Sequence, residues 1–112
     1  MSAVYVSNLV INAGSTFSQT FELGNTLDSS AFNLTGYSVE AQMRKHAGSS
    51  GVTTFTSSIS DATGGKILVG LASTETVNIK PGRYVYDIVV TIGNTKTRVV
   101  EGSALVREGV TR

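Results

Sequence analysis

His46 is the sole imidazole in this 112-residue chain and cysteine is absent, so the available chemistry is narrow from the start. A thiol nucleophile, a disulfide and a thiolate metal site are all excluded. His46 follows Arg44 and Lys45 and enters a Gly/Ser-rich tip that runs to Gly51. A hydrolytic dyad needs a nucleophile and an orienting acid around the imidazole, which a mobile basic neighbourhood does not supply. It reads as a solvated loop histidine. One His and no Cys leave only carboxylates for a metal ion, and no EF-hand spacing is present. Gly64-Gly65-Lys66 resembles part of a phosphate loop, but that pattern needs Gly at 60 and Ser or Thr at 67, where Ser60 and Ile67 stand. It reads as a turn entering a strand. Glu40 with Asp87 or Glu101 could face one another across strands. Arg44, Arg83 and Arg98 nearby make surface ion pairs the simpler outcome. Asn33-Leu34-Thr35 fits a glycosylation sequon, which is idle without a secretory route. The expectation is therefore no catalytic residue, no cofactor and no metal ligand: not an enzyme.

Charge excludes further classes. Nine Lys and Arg against eight Asp and Glu leave a net charge of +1, too little to steer nucleic acid or a polybasic membrane contact. Lys80, Arg83, Lys96, Arg98 and Arg107 are interleaved with acids, and the aromatics that would stack on bases follow the inward phase of their strands. The first 21 residues carry no charge, yet they lack a basic start, and polar residues interrupt any apolar run. Neither a secretion signal nor a membrane-spanning helix is expected. Carbohydrate binding at the 24–33 and 45–51 loops would need exposed aromatics, and Phe32 alone qualifies. That role ranks low.

The elements that would position any site are strands. Side chains alternate with period two, as a strand with one buried face requires. The inward sets are Phe17, Gln19, Phe21, Leu23; Tyr37, Val39, Ala41, Met43; Thr53, Phe55, Ser57, Ile59; Ile67, Val69, Leu71; and Tyr84, Tyr86, Ile88, Val90, Ile92. With Val4 to Ile11 in front and Thr95 to Arg107 behind, the spacing predicts an all-β, immunoglobulin-like antiparallel sandwich of about seven to eight strands. Residues 1–112 read as one domain. Gly93-Asn94 suits a two-residue hairpin, and Ser73 to Ile79 could close one helical turn with Ser73 as its N-cap. At the N-terminus Val4 and Val6 oppose Leu9 and Ile11 in parity. A break at Ser7-Asn8 would return both pairs to the core, making residues 1–12 an arm or a sheet-switching edge strand. In the last strand Val99 and Val100 fall on both faces, with Gly102 a candidate bulge.

Two features point outward from this core. Val85 and Val89, with Val99 and Leu68, break the polar pattern expected of a water-facing sheet, and form a candidate interface stripe. Pro81-Gly82-Arg83-Tyr84-Val85-Tyr86 has the spacing of the corner that opens strand F of immunoglobulin-like sandwiches. Tyr84 is then the corner residue, and Tyr86 takes the place of the antibody-type cysteine.

More specific strings are Ala13-Gly14-Ser15-Thr16-Phe17, Asn33 to Val39, Gly65-Lys66-Ile67, Pro81 to Ile88, Arg98 to Gly102 and Val110-Thr111-Arg112. In that order and spacing the chain resembles small virion structural proteins of tailed bacteriophages, cyanophages included. It is also similar to the N-terminal sandwich domain of siphophage upper-baseplate proteins. The resemblance implies a non-enzymatic assembly role, tail- or baseplate-associated, with capsid decoration as the alternative. Its implied partners are other virion proteins in a symmetric, multi-copy arrangement. Its implied location is the virion, assembled in the host cytoplasm.

Overall fold

The computed structural model describes residues 5–23, 33–46 and 48–109. Two sheets pack face to face. The larger contains β1 (Tyr5–Val6), β2 (Leu9–Asn12), β4 (Ser38–Arg44), β5 (Thr53–Thr54), β8 (Gly82–Ile92) and β9 (Thr95–Arg107). Its order is β1-β9-β8-β4-β5, with β2 also on β9. The smaller holds β3 (Phe17–Glu22), β7 (Lys66–Leu71) and β6 (Thr56–Asp61), in the order β3-β7-β6. One helical turn, α1 (Ser73–Thr76), joins β7 to β8. The fold is an all-β sandwich. Unlike the antiparallel expectation, β1 and β2 run parallel to β9.

Alternation produces the core. Ile67, Val69 and Leu71 of β7, Ala41 and Met43 of β4, and Tyr86, Ile88 and Val90 of β8 are buried between the sheets. The period fails at the end of β8, where Ile92 is exposed beside the Gly93-Asn94 hairpin. Gly93 takes φ +56° there, as a two-residue hairpin demands.

Phe55 carries the chain from one sheet to the other. Thr53 and Thr54 pair with β4, and Thr56 onward pairs with β7. Between them the Phe55 N–H donates to the Ala41 carbonyl at 2.9 Å, and its ring sits 6.0 Å from Phe17 and 6.4 Å from Tyr86. One flank of the sandwich is thereby bridged by continuous chain. The opposite flank, between β2 and β3, is joined through the turn at residues 13–16 and pinned by Thr76.

Thr76 is fully buried. Its Oγ1 donates to the Ser15 carbonyl at 2.8 Å and accepts from the Gly14 N–H at 3.0 Å. Thr76→Val keeps the shape and strands both backbone groups. The expected loss is about 1–3 kcal/mol, read from urea unfolding; an unshifted midpoint would show that water replaces the hydroxyl without penalty. The helical turn itself begins one residue earlier than the sequence suggests. Ala72, not Ser73, is the N-cap, because its carbonyl accepts from the Glu75 and Thr76 N–H groups. Glu75 Oε1 reaches back to the Ala72 N–H at 3.0 Å.

Two parity problems resolve differently from expectation. The bulge in β9 lies at Val99, since Ile88 pairs with Val100 and Val89 with Arg98. The unpaired extra residue turns Val99 inward beside Val100, at 1% and 0% exposure. Gly102 is not the bulge; it pairs in register with Tyr86. At the N-terminus no register shift occurs: Val6 pairs with Glu101 and Leu9 with Ala104, three residues on in both strands. Leu9 and Ile11 are buried, Val6 stays exposed, and the segment remains in one sheet. Val4 lies outside the described residues.

Candidate docking surface

Tyr84 is where the corner spacing places it. Its hydroxyl donates to the Lys80 carbonyl at 2.6 Å, four residues upstream, with Pro81 and Gly82 making the bend between them. Lys45 Nζ lies 5.1 Å from the centre of the ring. Tyr84→Phe should lower stability by about 1 kcal/mol through loss of this bond. An unchanged thermal midpoint would remove the corner from the list of stabilising features. Tyr86 is buried against Phe21 and Phe55, and its hydroxyl donates to the Ser7 carbonyl at 2.5 Å. Burial pushes the Tyr86 phenol above its ordinary pKa, with the Ser7 contact pulling the other way.

That contact explains the break between β1 and β2. Turned toward Tyr86, the Ser7 carbonyl no longer serves as the ladder acceptor for β9. Asn8 Oδ1 substitutes for it, accepting from the Ser103 N–H at 3.2 Å and the Ser103 hydroxyl at 3.1 Å. The Ser7 N–H still donates to Glu101 at 3.0 Å. Room for this comes from Gly102, where a Cβ would overlap the Ser7 carbonyl oxygen.

On the outer face of the larger sheet the register sets side chains in rows. Glu40, Val89 and Arg98 form one; Gln42, Asp87, Glu101 and Val6 the next; Arg44, Val85 and Ser103 a third. Asp87 and Glu101 are direct neighbours, and Arg98 compensates them at 3.1 Å and 3.6 Å. Glu40 sits opposite Val89 rather than either acid. A shallow groove of about 470 Å³ lies here, lined by Gln42, Arg44, His46, Asp87, Arg98 and Glu101 around Val85. Its side chains are hydrogen-bonding and charged. The one aromatic beside it, Tyr86, is only 4% exposed and offers no face for a sugar ring. His46 is exposed at the rim.

The four-residue apolar stripe therefore does not form. Val85 and Val89 share this face, but Asp87 and its ion pair lie between them. Val99 is buried by the bulge, and Leu68 belongs to β7 of the other sheet, on the opposite outer surface. Among the exposed apolar residues that the sequence reading missed, Val6 and Val10 lie on the outer side of the edge strand. Unbroken parity through Ser7, Leu9 and Ile11 was the available signal, obscured because Ser7 is polar. Phe32, with most of the loop around it, lies outside the described residues, as do Val110-Thr111-Arg112. Among the described residues no group of three or more His, Asp or Glu is placed to hold a metal ion, and no helix is long and apolar enough to cross a membrane.

The fold and this surface define a small β-sandwich with a polar outer groove. No family model matches the chain, and no curated protein matches it. Among solved structures it is similar to Listeria monocytogenes InlP, with 14% identity, coverage of 90% of this chain and 26% of that one, and a TM-score of 0.49. It is also similar to a family 123 glycoside hydrolase from Clostridium perfringens, with 13% identity, coverage of 96% and 24%, and a TM-score of 0.44. The chain spans about a quarter of each. At these values neither likeness bears on what this chain does.

Proposed function

We propose that this chain is a non-enzymatic structural protein of a tailed-phage virion, tail- or baseplate-associated, that docks onto neighbouring virion proteins through the outer face of its larger sheet. The sequence resemblance supplies the virion setting. The observation that carries the docking role is the outer face itself: Val85 is 40% exposed in a groove otherwise lined largely by charged and hydrogen-bonding side chains. An apolar centre with a polar rim is the anatomy of a protein-binding patch. The polar ring contributes orientation and partner choice more than affinity.

Val85→Lys with Val89→Lys places two cations on this patch without touching the core. The variant should keep its circular dichroism spectrum and lose at least about tenfold in incorporation when particles assemble with it in place of the natural chain, since desolvating two added ammonium groups against a partner costs more than about 1.4 kcal/mol. Incorporation at the natural level would defeat the proposal.

A further inference from the structure

We infer that the edge formed by β1 and β2 pairs with the same edge of a second copy of this chain, antiparallel, about a two-fold axis at Asn8. This extends beyond the docking role, which uses the outer face.

The backbone phase identifies the free edge. The Ser7 and Ala13 N–H groups donate to Glu101 and Arg107 of β9. Odd residues thus face β9, and Val6, Asn8 and Val10 turn their N–H and C=O groups away from it, while the Asn12 carbonyl already accepts from the Ser15 N–H at 3.0 Å. An edge of this kind is a template for another strand unless charge, proline or a short length guards it. This one has neither charge nor proline to guard it: the first 21 residues contain no Lys, Arg, Asp, Glu or Pro. Other edges are less suited. β5 pairs over two residues only, whereas β2 continues the line of β1 along β9, and the outward side chains of β3 are Ser18, Thr20 and Glu22.

Symmetry selects the occupant. A two-fold axis sets each residue against its counterpart, so charged side chains would meet their own sign, and an uncharged edge removes that repulsion. Antiparallel pairing about Asn8 puts Val6 opposite Val10 of the second copy, and Val10 opposite its Val6. These side chains are 75% and 52% exposed, and each pair would cover apolar surface on the outer face. Asn8, at the centre, has its side-chain oxygen held by the Ser103 N–H and hydroxyl. The product is one continuous sheet made from two six-stranded sheets.

Native mass spectrometry and light scattering of the full chain test it. The expected species is a dimer that becomes monomeric in Val10→Lys and stays dimeric in Val85→Lys, which lies away from the edge. The chain has no cysteine, so the register can be read separately. Mixing Val6→Cys with Val10→Cys and a short bismaleimide should yield a cross-linked heterodimer at least about tenfold faster than either variant alone, because pairing raises the local thiol concentration. In each single-variant homodimer the two thiols would stand roughly 13 Å apart along the strands. A monomer at millimolar concentration, a trimer or larger ring, a Val10→Lys dimer, or equal cross-linking rates would each overturn the inference. If Val85→Lys with Val89→Lys fails to dock yet remains dimeric, the two roles are separate.

Discussion

Gly102→Ala should destabilise the sandwich by about 3 kcal/mol, at the upper end of what one added methyl costs in a packed setting. The reason is specific. A Cβ at 102 would occupy the position of the Ser7 carbonyl oxygen, so either β9 or the N-terminal segment must move. Moving the segment breaks the Tyr86–Ser7 hydrogen bond and the two bonds to Asn8 Oδ1. Leu9 and Ile11, both buried, are then drawn from the core. Guanidinium unfolding gives the magnitude, and amide exchange should show β1 and β2 losing protection before β8. A change within about 0.5 kcal/mol, the range of an ordinary surface substitution, would mean that the segment shifts at no penalty and that Gly102 has no steric role.

Phe55→Ala carries the other large effect, an expected loss of about 3–5 kcal/mol. Phe55 is 3% exposed and touches Phe17 from the smaller sheet and Tyr86 from the larger, at the point where the chain leaves one sheet for the other. Truncation opens a cavity between the layers and frees the crossing. Phe55→Leu should recover much of the loss, because it refills most of the volume. If alanine and leucine behave alike in thermal unfolding, the ring contacts are incidental to the crossing.

Much of this architecture was legible because alternation is a local property. Ile67, Val69 and Leu71 announce a buried strand face whatever lies against them. The spacing of Tyr84 from Pro81 and Gly82 likewise gave the corner, since the bond to Lys80 spans only four residues. The surface was harder. Val85 and Val89 were identified on the right sheet, but the ion pair between them joins Asp87 to Arg98, and its geometry depends on a bulge in another strand. The same bulge buried Val99. Leu68 was grouped with these valines although nothing local says which of two sheets a strand enters.

The N-terminal segment shows the division most clearly. Composition alone established that it is uncharged, proline-free and strand-forming. Its parallel pairing with β9, the turning of the Ser7 carbonyl toward Tyr86 and the outward placement of Val6 and Val10 were decided by contacts nearly the length of the chain away. Periodicity and turn geometry are fixed by neighbouring residues, and so the sequence by itself determined strands, corner and hairpin. Register between distant strands, the site of a bulge and the makeup of a surface patch arise from which segments meet, and only tertiary packing decides that.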